Sequence, residues 1–203
     1  ADIRAPIRNA TKKISSFLSN VFSIPASQDF DEQTPVSYYT HGVKELIDKL
    51  IEENSQIDKD RIYVGGCSAG GFMTVNMLIQ YPDFFAAAFP TCEAFPDARI
   101  SDSDILKLSK KPLWFTLAKN DTTIDPQKNT YPTVERLQKS GAENLHFVYF
   151  DNVVDTSGQF YQEDNITPYE YSGHESWIYV FNDMVYDKNL SLFQWLASQS
   201  NRK

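Results

Sequence analysis

From Arg61 onward the sequence alternates short apolar runs with segments of helical spacing, and this alternation limits the fold more than any other feature. Four runs read as strands: Arg61 to Cys67, Phe84 to Phe89, Pro112 to Ala118 and Asn144 to Phe150. Between them, helical patterns extend from about Gly70 to Gln80, from Asp102 to Ser109 and from Pro126 to Ser140, the last stopped by Gly141. Strands joined by helical crossovers pair in parallel and carry their helices on the sheet faces. The expected class is therefore α/β, three layers deep, with a mostly parallel sheet flanked by helices. Upstream, Val43, Leu46, Ile47, Leu50 and Ile51 fall at i, i+3, i+4, i+7 and i+8, the stripe of a surface helix docked on that sheet. Lys44, Glu45, Asp48 and Lys49 lie outside the stripe. Glu175 to Val185 and Leu190 to Ser198 also show helical spacing. Before residue 41 the pattern is weak: Val21 to Ile24 suggests a short strand, and Ser27 to Tyr39 a polar, partly aromatic loop.

Composition removes several function classes. The 203 residues suit one domain. With 19 basic against 27 acidic residues the net charge is −8, the wrong sign for a nucleic-acid partner. The longest apolar stretch, Phe84 to Phe89, is far too short to span a bilayer. Cys67 and Cys92 form no CxxC pair, so no structural metal is expected. Each closes an apolar run and reads as a buried thiol, with pairing between them left open. The chain begins at Ala1 rather than Met and lacks a signal-peptide core in its first 25 residues, so an upstream segment is expected to have been removed.

The chemistry concentrates in Gly65-Gly66-Cys67-Ser68-Ala69-Gly70-Gly71. Here a G-x-S-x-G pattern, Gly66 to Gly70, joins a strand pattern to a helical one. A serine on so sharp a turn sits in a strained backbone and needs small neighbours, a role open to Gly66 and Gly70. The turn aims the Ala69 amide and the helix N-terminus at negative charge formed on an attacked carbonyl. Ser68 is the candidate nucleophile and Ala69 the candidate oxyanion donor.

A serine hydroxyl needs a base, normally a histidine oriented by a carboxylate. The sequence has three histidines. His146 lies within a strand and reads as structural; His41 precedes the amphipathic helix and reads as a cap or surface residue. His174, in Tyr171-Ser172-Gly173-His174-Glu175-Ser176-Trp177, follows the last strand, where α/β sheets assemble their sites. It is the candidate base. Asp121 comes first after the strand ending at Ala118 and is the candidate acid, whereas Asp125 precedes Pro126 and reads as a cap. Glu93 is the main rival to Asp121, since it too follows a strand.

The order Ser68, Asp121, His174 is that of α/β-hydrolases, and the chain resembles that superfamily from about Gly42 to Ser198. More closely it resembles bacterial serine esterases related to the prolyl oligopeptidase and polyhydroxybutyrate depolymerase groups. The resemblance rests on Asp58-Lys59-Asp60-Arg61-Ile62-Tyr63-Val64 leading into Gly66-Cys67-Ser68-Ala69-Gly70-Gly71-Phe72-Met73, on Lys119-Asn120-Asp121 and on Gly173-His174-Glu175-Ser176-Trp177. It implies cleavage of carboxylic esters through an acyl-serine, with no organic cofactor. Similar hydrolases carry a His-Gly-rich motif after an earlier strand, and several further strands before the nucleophile; residues 1–60 offer no equivalent. The domain, 1–203 with its core at 42–198, is therefore expected to lack N-terminal strands or to receive them from another segment. The excursion from Asp151 to Gly173, with Phe160, Tyr161, Tyr169 and Tyr171, is expected to act as a lid or substrate loop. With Phe95 and Trp177 it would wall a pocket for small-molecule, aryl or polymeric esters. The competing expectations are a prolyl oligopeptidase-like peptidase and a non-catalytic binding protein of the same fold.

Overall fold

The computed structural model describes residues 37–202. The sequence readings that concern residues 1–36, including the strand at Val21 to Ile24 and most of the Ser27 to Tyr39 loop, lie outside them. In chain order the elements are α1 (Thr40–Glu53), β1 (Tyr63–Cys67), α2 (Ala69–Gln80), β2 (Ala87–Thr91), α3 (Asp102–Leu108), β3 (Leu113–Ala118), α4 (Thr130–Lys139) and β4 (Leu145–Phe150). There follow β5 (Val153–Val154), β6 (Glu170–Tyr171), α5 (Trp177–Phe181), β7 (Tyr186–Asp187), β8 (Leu190–Ser191) and α6 (Leu192–Ser198).

Strands β1 to β4 form one parallel sheet in sequence order, with Tyr63 to Cys67 opposite Ala87 to Thr91 and Leu113 to Ala118 opposite Leu145 to Phe150. Among the described residues β1 pairs on one side only. Every residue of β3 is buried, as a strand covered on both faces requires. Its side chains alternate between two cores. Leu113 and Phe115 join Val75, Leu78, Phe85, Ile105 and Leu137 on one face, while Trp114 and Ala118 join Tyr179, Val180, Leu192 and Trp195 on the other. The three layers expected from the alternation are thus present.

Several boundaries differ from the sequence reading. The second strand starts at Ala87, not Phe84, because Phe84 and Phe85 turn inward ahead of it, and it runs on to Thr91 through Pro90. The proline falls between two rungs to β3, from the Ala88 N–H to Pro112 O (3.0 Å) and from the Cys92 N–H to Thr116 O (2.8 Å), so one rung is lost and the strand continues. Helix α4 begins at Thr130 rather than Pro126, with residues 126–129 in turns. Its own proline, Pro132, sits in the first turn, where no amide partner is missed. The helix expected over Glu175 to Val185 shrinks to Trp177–Phe181, and Asp183 then adopts a positive φ of 52° that ends it. Helix α6 starts at Leu192, fixed by a capping box between Ser191 and Gln194.

On α1 only Ile47 and Ile51 reach the described core; Leu46 and Leu50 remain exposed. Lys44, expected on the outer face, is tucked in: its ammonium pairs with Asp48 at 2.6 Å and lies 3.9 Å from the centre of the Phe84 ring. Among the described residues no helix is long and apolar enough to cross a membrane.

His146 is built into this scaffold. Its ring stacks on Trp114 with 4.3 Å between centroids, and Nδ1 lies 2.8 Å from Asp187 Oδ2, tying β4 to the β7–β8 hairpin. Replacing His146 with Leu is predicted to lower unfolding stability by about 1 to 2 kcal/mol, the cost of leaving a hydrogen-bond partner unmade. Urea denaturation of His146→Leu, Asp187→Asn and the double variant would show non-additivity if the pair acts as one unit.

Candidate active site

The turn after β1 has the strained geometry that its glycines foreshadow. Ser68 adopts φ 58° and ψ −117°, outside the regions open to ordinary residues. Its N–H continues the β1–β2 ladder by donating to Thr91 O (3.0 Å), and its carbonyl accepts from the N–H groups of Phe72 (3.0 Å) and Ala94 (3.2 Å). Gly66 is required by space: a Cβ there would lie 2.7 Å from the Gly70 carbonyl carbon and 2.9 Å from its Cα. Gly70 is not required in this way, because a Cβ there would meet nothing within 4 Å. Of the two glycines read from the motif, only the first carries the steric demand.

Asp121 and His174, 53 positions apart, meet at the carboxyl end of the same sheet. His174 Nδ1 lies 2.9 Å from Asp121 Oδ2. The other carboxylate oxygen accepts from the backbone N–H groups of Thr123 (2.8 Å) and Ile124 (2.9 Å). Three hydrogen bonds explain how an acid side chain 1% exposed can remain without a cationic partner. A carboxylate only accepts, so Nδ1 is the donor, and in the neutral ring Nε2 is then the acceptor. Gly173 makes the meeting possible, since a Cβ there would lie 2.2 Å from Asn120 Oδ1 and 2.4 Å from the Asp121 amide nitrogen. Ser172 caps the turn by accepting the His174 N–H.

Cys92 knits these pieces together, a role the sequence reading missed. It follows β2 with a positive φ of 37°, and its thiol donates to the His174 carbonyl at 3.2 Å. Burial pushes this thiol up to about 12, so it stays protonated. The signal available in the sequence was only the position of Cys92 at a strand end, one step beyond the residue that pairs with Cys67. Both cysteines are free thiols. Cys92, Asp121 and His174 bring their donor atoms within 4.8 Å of one another, the one such group among the described residues. The protonated thiol and the His174–Asp121 hydrogen bond already use those atoms, and the cluster reads as a hydrogen-bonded unit.

The structure brings Asp121, His174 and Cys92 into contact and sets the Ser68 turn against the strand end that carries Cys92. Among the described residues, the Ser68 hydroxyl makes no hydrogen bond to His174. Glu93, the rival acid, stands apart from His174 and bonds instead to Phe95 and Thr130. Asp125 does cap a turn, accepting the Gln127 N–H at 3.0 Å. Phe95, expected on a pocket wall, is fully buried against Phe72 with 4.6 Å between ring centroids, and it belongs to the core. Trp177, at the start of α5, is 39% exposed. Tyr171 is half-buried, and its hydroxyl donates to Asp155 Oδ1 (3.2 Å) at the base of the 151–173 excursion.

A parallel sheet whose first described strand ends in a strained serine turn, with a histidine–carboxylate pair at the same strand ends, has the α/β-hydrolase fold. Comparison with known proteins agrees. Residues 38–95 match the model of the prolyl oligopeptidase family. A poly(3-hydroxyalkanoate) depolymerase C from Paucimonas lemoignei is 48% identical over 49 residues, which are 24% of this chain and 12% of that protein. A thermostable esterase of known structure superposes with a TM-score of 0.58 at 24% identity, covering 79% of this chain and 36% of that one. The uncomplexed acylaminoacyl peptidase of Pyrococcus horikoshii gives a TM-score of 0.50 at 18% identity, over 81% of this chain and 31% of its own. The chain thus spans about an eighth of the curated relative and about a third of each structure.

The steric contrast among the glycines gives a direct test. Gly173→Ala is predicted to separate His174 from Asp121 and lower the melting temperature, and Gly66→Ala to distort the serine turn. Gly70→Ala should be neutral or stabilising, by up to about 1 kcal/mol, as alanine is the better helix former. Thermal melts of the three variants check this, and a destabilised Gly70→Ala beside an unaffected Gly66→Ala would contradict the packing described.

Proposed function

We propose that this chain is a serine hydrolase that cleaves carboxylic esters, with Ser68 as nucleophile, His174 as base, Asp121 as the orienting acid and the Ala69 N–H as an oxyanion donor. The observation that carries the reading is the His174–Asp121 hydrogen bond, which leaves Nε2 as an acceptor at the strand ends beside the strained Ser68 turn. The esterase and depolymerase likenesses support it.

In this mechanism Ser68 Oγ attacks the ester carbonyl while His174 Nε2 takes its proton. The imidazolium formed is stabilised by Asp121, whose other carboxylate oxygen is held by the backbone N–H groups of Thr123 and Ile124. Negative charge on the former carbonyl oxygen is met by the Ala69 N–H at the start of α2. Collapse of the tetrahedral intermediate breaks the ester C–O bond, and His174 returns the proton to the leaving alcohol. A water molecule then attacks the acyl-serine with His174 again as base, releasing the carboxylic acid and restoring Ser68.

The excursion that leads into the His174 turn supports a substrate class. The excursion at 151–173 exposes Phe160, Tyr161 and Tyr169, and its strand β6 runs directly into the turn that carries His174. With Tyr171 and Trp177 these rings suit esters of aryl groups or of polymers, and the depolymerase likeness supports the polymeric choice. A peptidase is the second reading, favoured by the match of residues 38–95 to the prolyl oligopeptidase family.

Rates on a p-nitrophenyl ester and on an aminoacyl p-nitroanilide, measured side by side, separate the two. The ester is expected to be hydrolysed at least 100-fold faster; the reverse order would favour the peptidase. Ser68→Ala and His174→Ala are each predicted to lower kcat by about four orders of magnitude or more. Ser68→Ala should also abolish labelling by a fluorophosphonate.

A further inference from the structure

Among the described residues, Glu93 is the one completely buried carboxyl that the mechanism leaves unused, and it lies behind the serine turn. It has no cationic partner among its hydrogen bonds. Oε2 accepts the Phe95 N–H at 2.6 Å, and Oε1 accepts the Thr130 hydroxyl, at the start of α4, at 3.0 Å. Its backbone packs directly on α2: a Cβ on Gly71 would lie 2.7 Å from Glu93 Cα and 2.5 Å from its Cβ. A buried carboxyl placed this way costs stability, so its retention calls for a local consequence.

That consequence lies one residue on. The Ala94 N–H, between Glu93 and Phe95, donates to the Ser68 carbonyl at 3.2 Å. This carbonyl and the Ala69 N–H belong to the same planar peptide unit and point in opposite directions. Holding the carbonyl from behind therefore sets the direction of the amide in front, the group assigned to the oxyanion. Helix α2 supplies one such hold through the Phe72 N–H; the loop 92–95 supplies the other. Cys92 enters that loop at a positive φ, so its course depends on what secures its far side.

We propose that Glu93 is a positioning residue for the oxyanion donor: by bonding the Phe95 amide and the Thr130 hydroxyl it fixes loop 92–95, which holds the Ser68–Ala69 peptide with its N–H aimed at the developing charge. The proposal rests on the reading of Ser68 as nucleophile. An oxyanion donor acts on the transition state and hardly on the bound ester, so its misalignment should slow acylation without weakening substrate binding. The ceiling is the loss of a whole donor, on the order of 10² to 10³ in rate.

Burial also pushes the Glu93 carboxyl from an ordinary 4.5 up to about 7. Asp97 adds a smaller push in the same direction; its own carboxylate is paired with Arg136 of α4 at 2.8 Å. The folded chain thus keeps this proton up to about pH 7, whereas the unfolded chain releases it near 4.5. Stability from this group is full below pH 4.5 and falls as the pH rises to about 7.

The test is single-turnover acylation of the full chain by p-nitrophenyl acetate, with the substrate dissociation constant and the inhibition constant of a boronic acid that mimics the tetrahedral intermediate. Glu93→Ala is expected to slow acylation about tenfold and weaken the boronate by a similar factor, with substrate binding unchanged within twofold. Glu93→Gln, which keeps an oxygen for the Phe95 N–H, should recover acylation to within threefold of wild type. Its urea midpoint should gain on wild type between pH 5 and pH 8. Acylation at the wild-type rate in Glu93→Ala, or equal weakening of substrate and boronate, would overturn the proposal. Should Glu93→Ala not fold, Thr130→Val decides: slower acylation with unchanged substrate binding supports the proposal, and wild-type acylation overturns it. Ser68→Ala separates the two readings. If that variant is still acylated, the nucleophile assignment fails; if it is inert while Glu93→Ala reacts normally, only the positioning role fails.

Discussion

The backbone of Ser68 is the constraint around which the described structure is arranged. A non-glycine residue at φ 58° and ψ −117° costs on the order of 1 to 3 kcal/mol and persists only if its neighbours leave no alternative. Three hydrogen bonds enclose it, from its own N–H to Thr91, and to its carbonyl from Phe72 and Ala94. Each donor or acceptor belongs to an element fixed elsewhere. Thr91 ends β2, in register with Cys67; Phe72 sits in α2; Ala94 lies in the loop secured by Glu93. The neighbouring strand also ends in a positive-φ residue, Cys92, so two strained strand ends lie side by side and each helps hold the other.

The acid side of the site is held differently. Asp121 and His174 come from loops separated by β4 and the whole 151–173 excursion, and only short-range contacts align them. Gly173 lets the histidine turn press against Asn120 and Asp121, Ser172 caps that turn, and the Cys92 thiol grips the His174 carbonyl. None of these contacts relies on a net charge nearby, which under the proposed reading suits an imidazole that alternates between neutral and charged forms. The buried carboxylate is oriented by backbone N–H groups, whose direction is set by the fold and not by the ionic strength of the solvent.

The elements that carry the site were legible because their signals are local. A glycine two before and two after a serine at a strand-to-helix boundary reports a turn, and an aspartate or histidine at a strand end reports a position on the sheet. What escaped the sequence were facts of packing. The stripe on α1 marks which side of the helix is apolar but not what lies against it, so Leu46 and Leu50 were expected inside and remain exposed. Phe95 was expected with Trp177 on a pocket wall, yet past the turn that Glu93 makes it packs into the core. Glu93 itself looked like a second candidate acid; proximity in sequence to a strand end could not say on which side of the Ser68 turn its carboxyl would fall. Asp183 ended α5 early through a positive φ, and β2 ran on through Pro90 at the loss of one rung, single-residue effects below the resolution of any periodic pattern.

The excursion at 151–173 combines both kinds of constraint. Its base is secured: Val153 and Val154 pair with Tyr171 and Glu170, and the Val154 N–H donates to the Tyr179 hydroxyl at 2.8 Å. Asp155 accepts from Ser157, Gly158 and the Tyr171 hydroxyl, so the first turn is closed by one carboxylate. The Asn120 amide also reaches Glu170, and Lys119 pairs with Asp151, both from the loop that presents Asp121. Beyond this base, Phe160, Tyr161 and Tyr169 are exposed, and the tip is held by its own backbone bonds, Gln162 N–H to Thr167 O and Tyr169 N–H to Phe160 O, and by the Asp164–Thr167 turn. A segment so divided cannot swing as a whole without disturbing Asp121. Under the proposed reading, selection among esters therefore falls to the aromatic tip, while the base shares the rigidity that the catalytic pair requires.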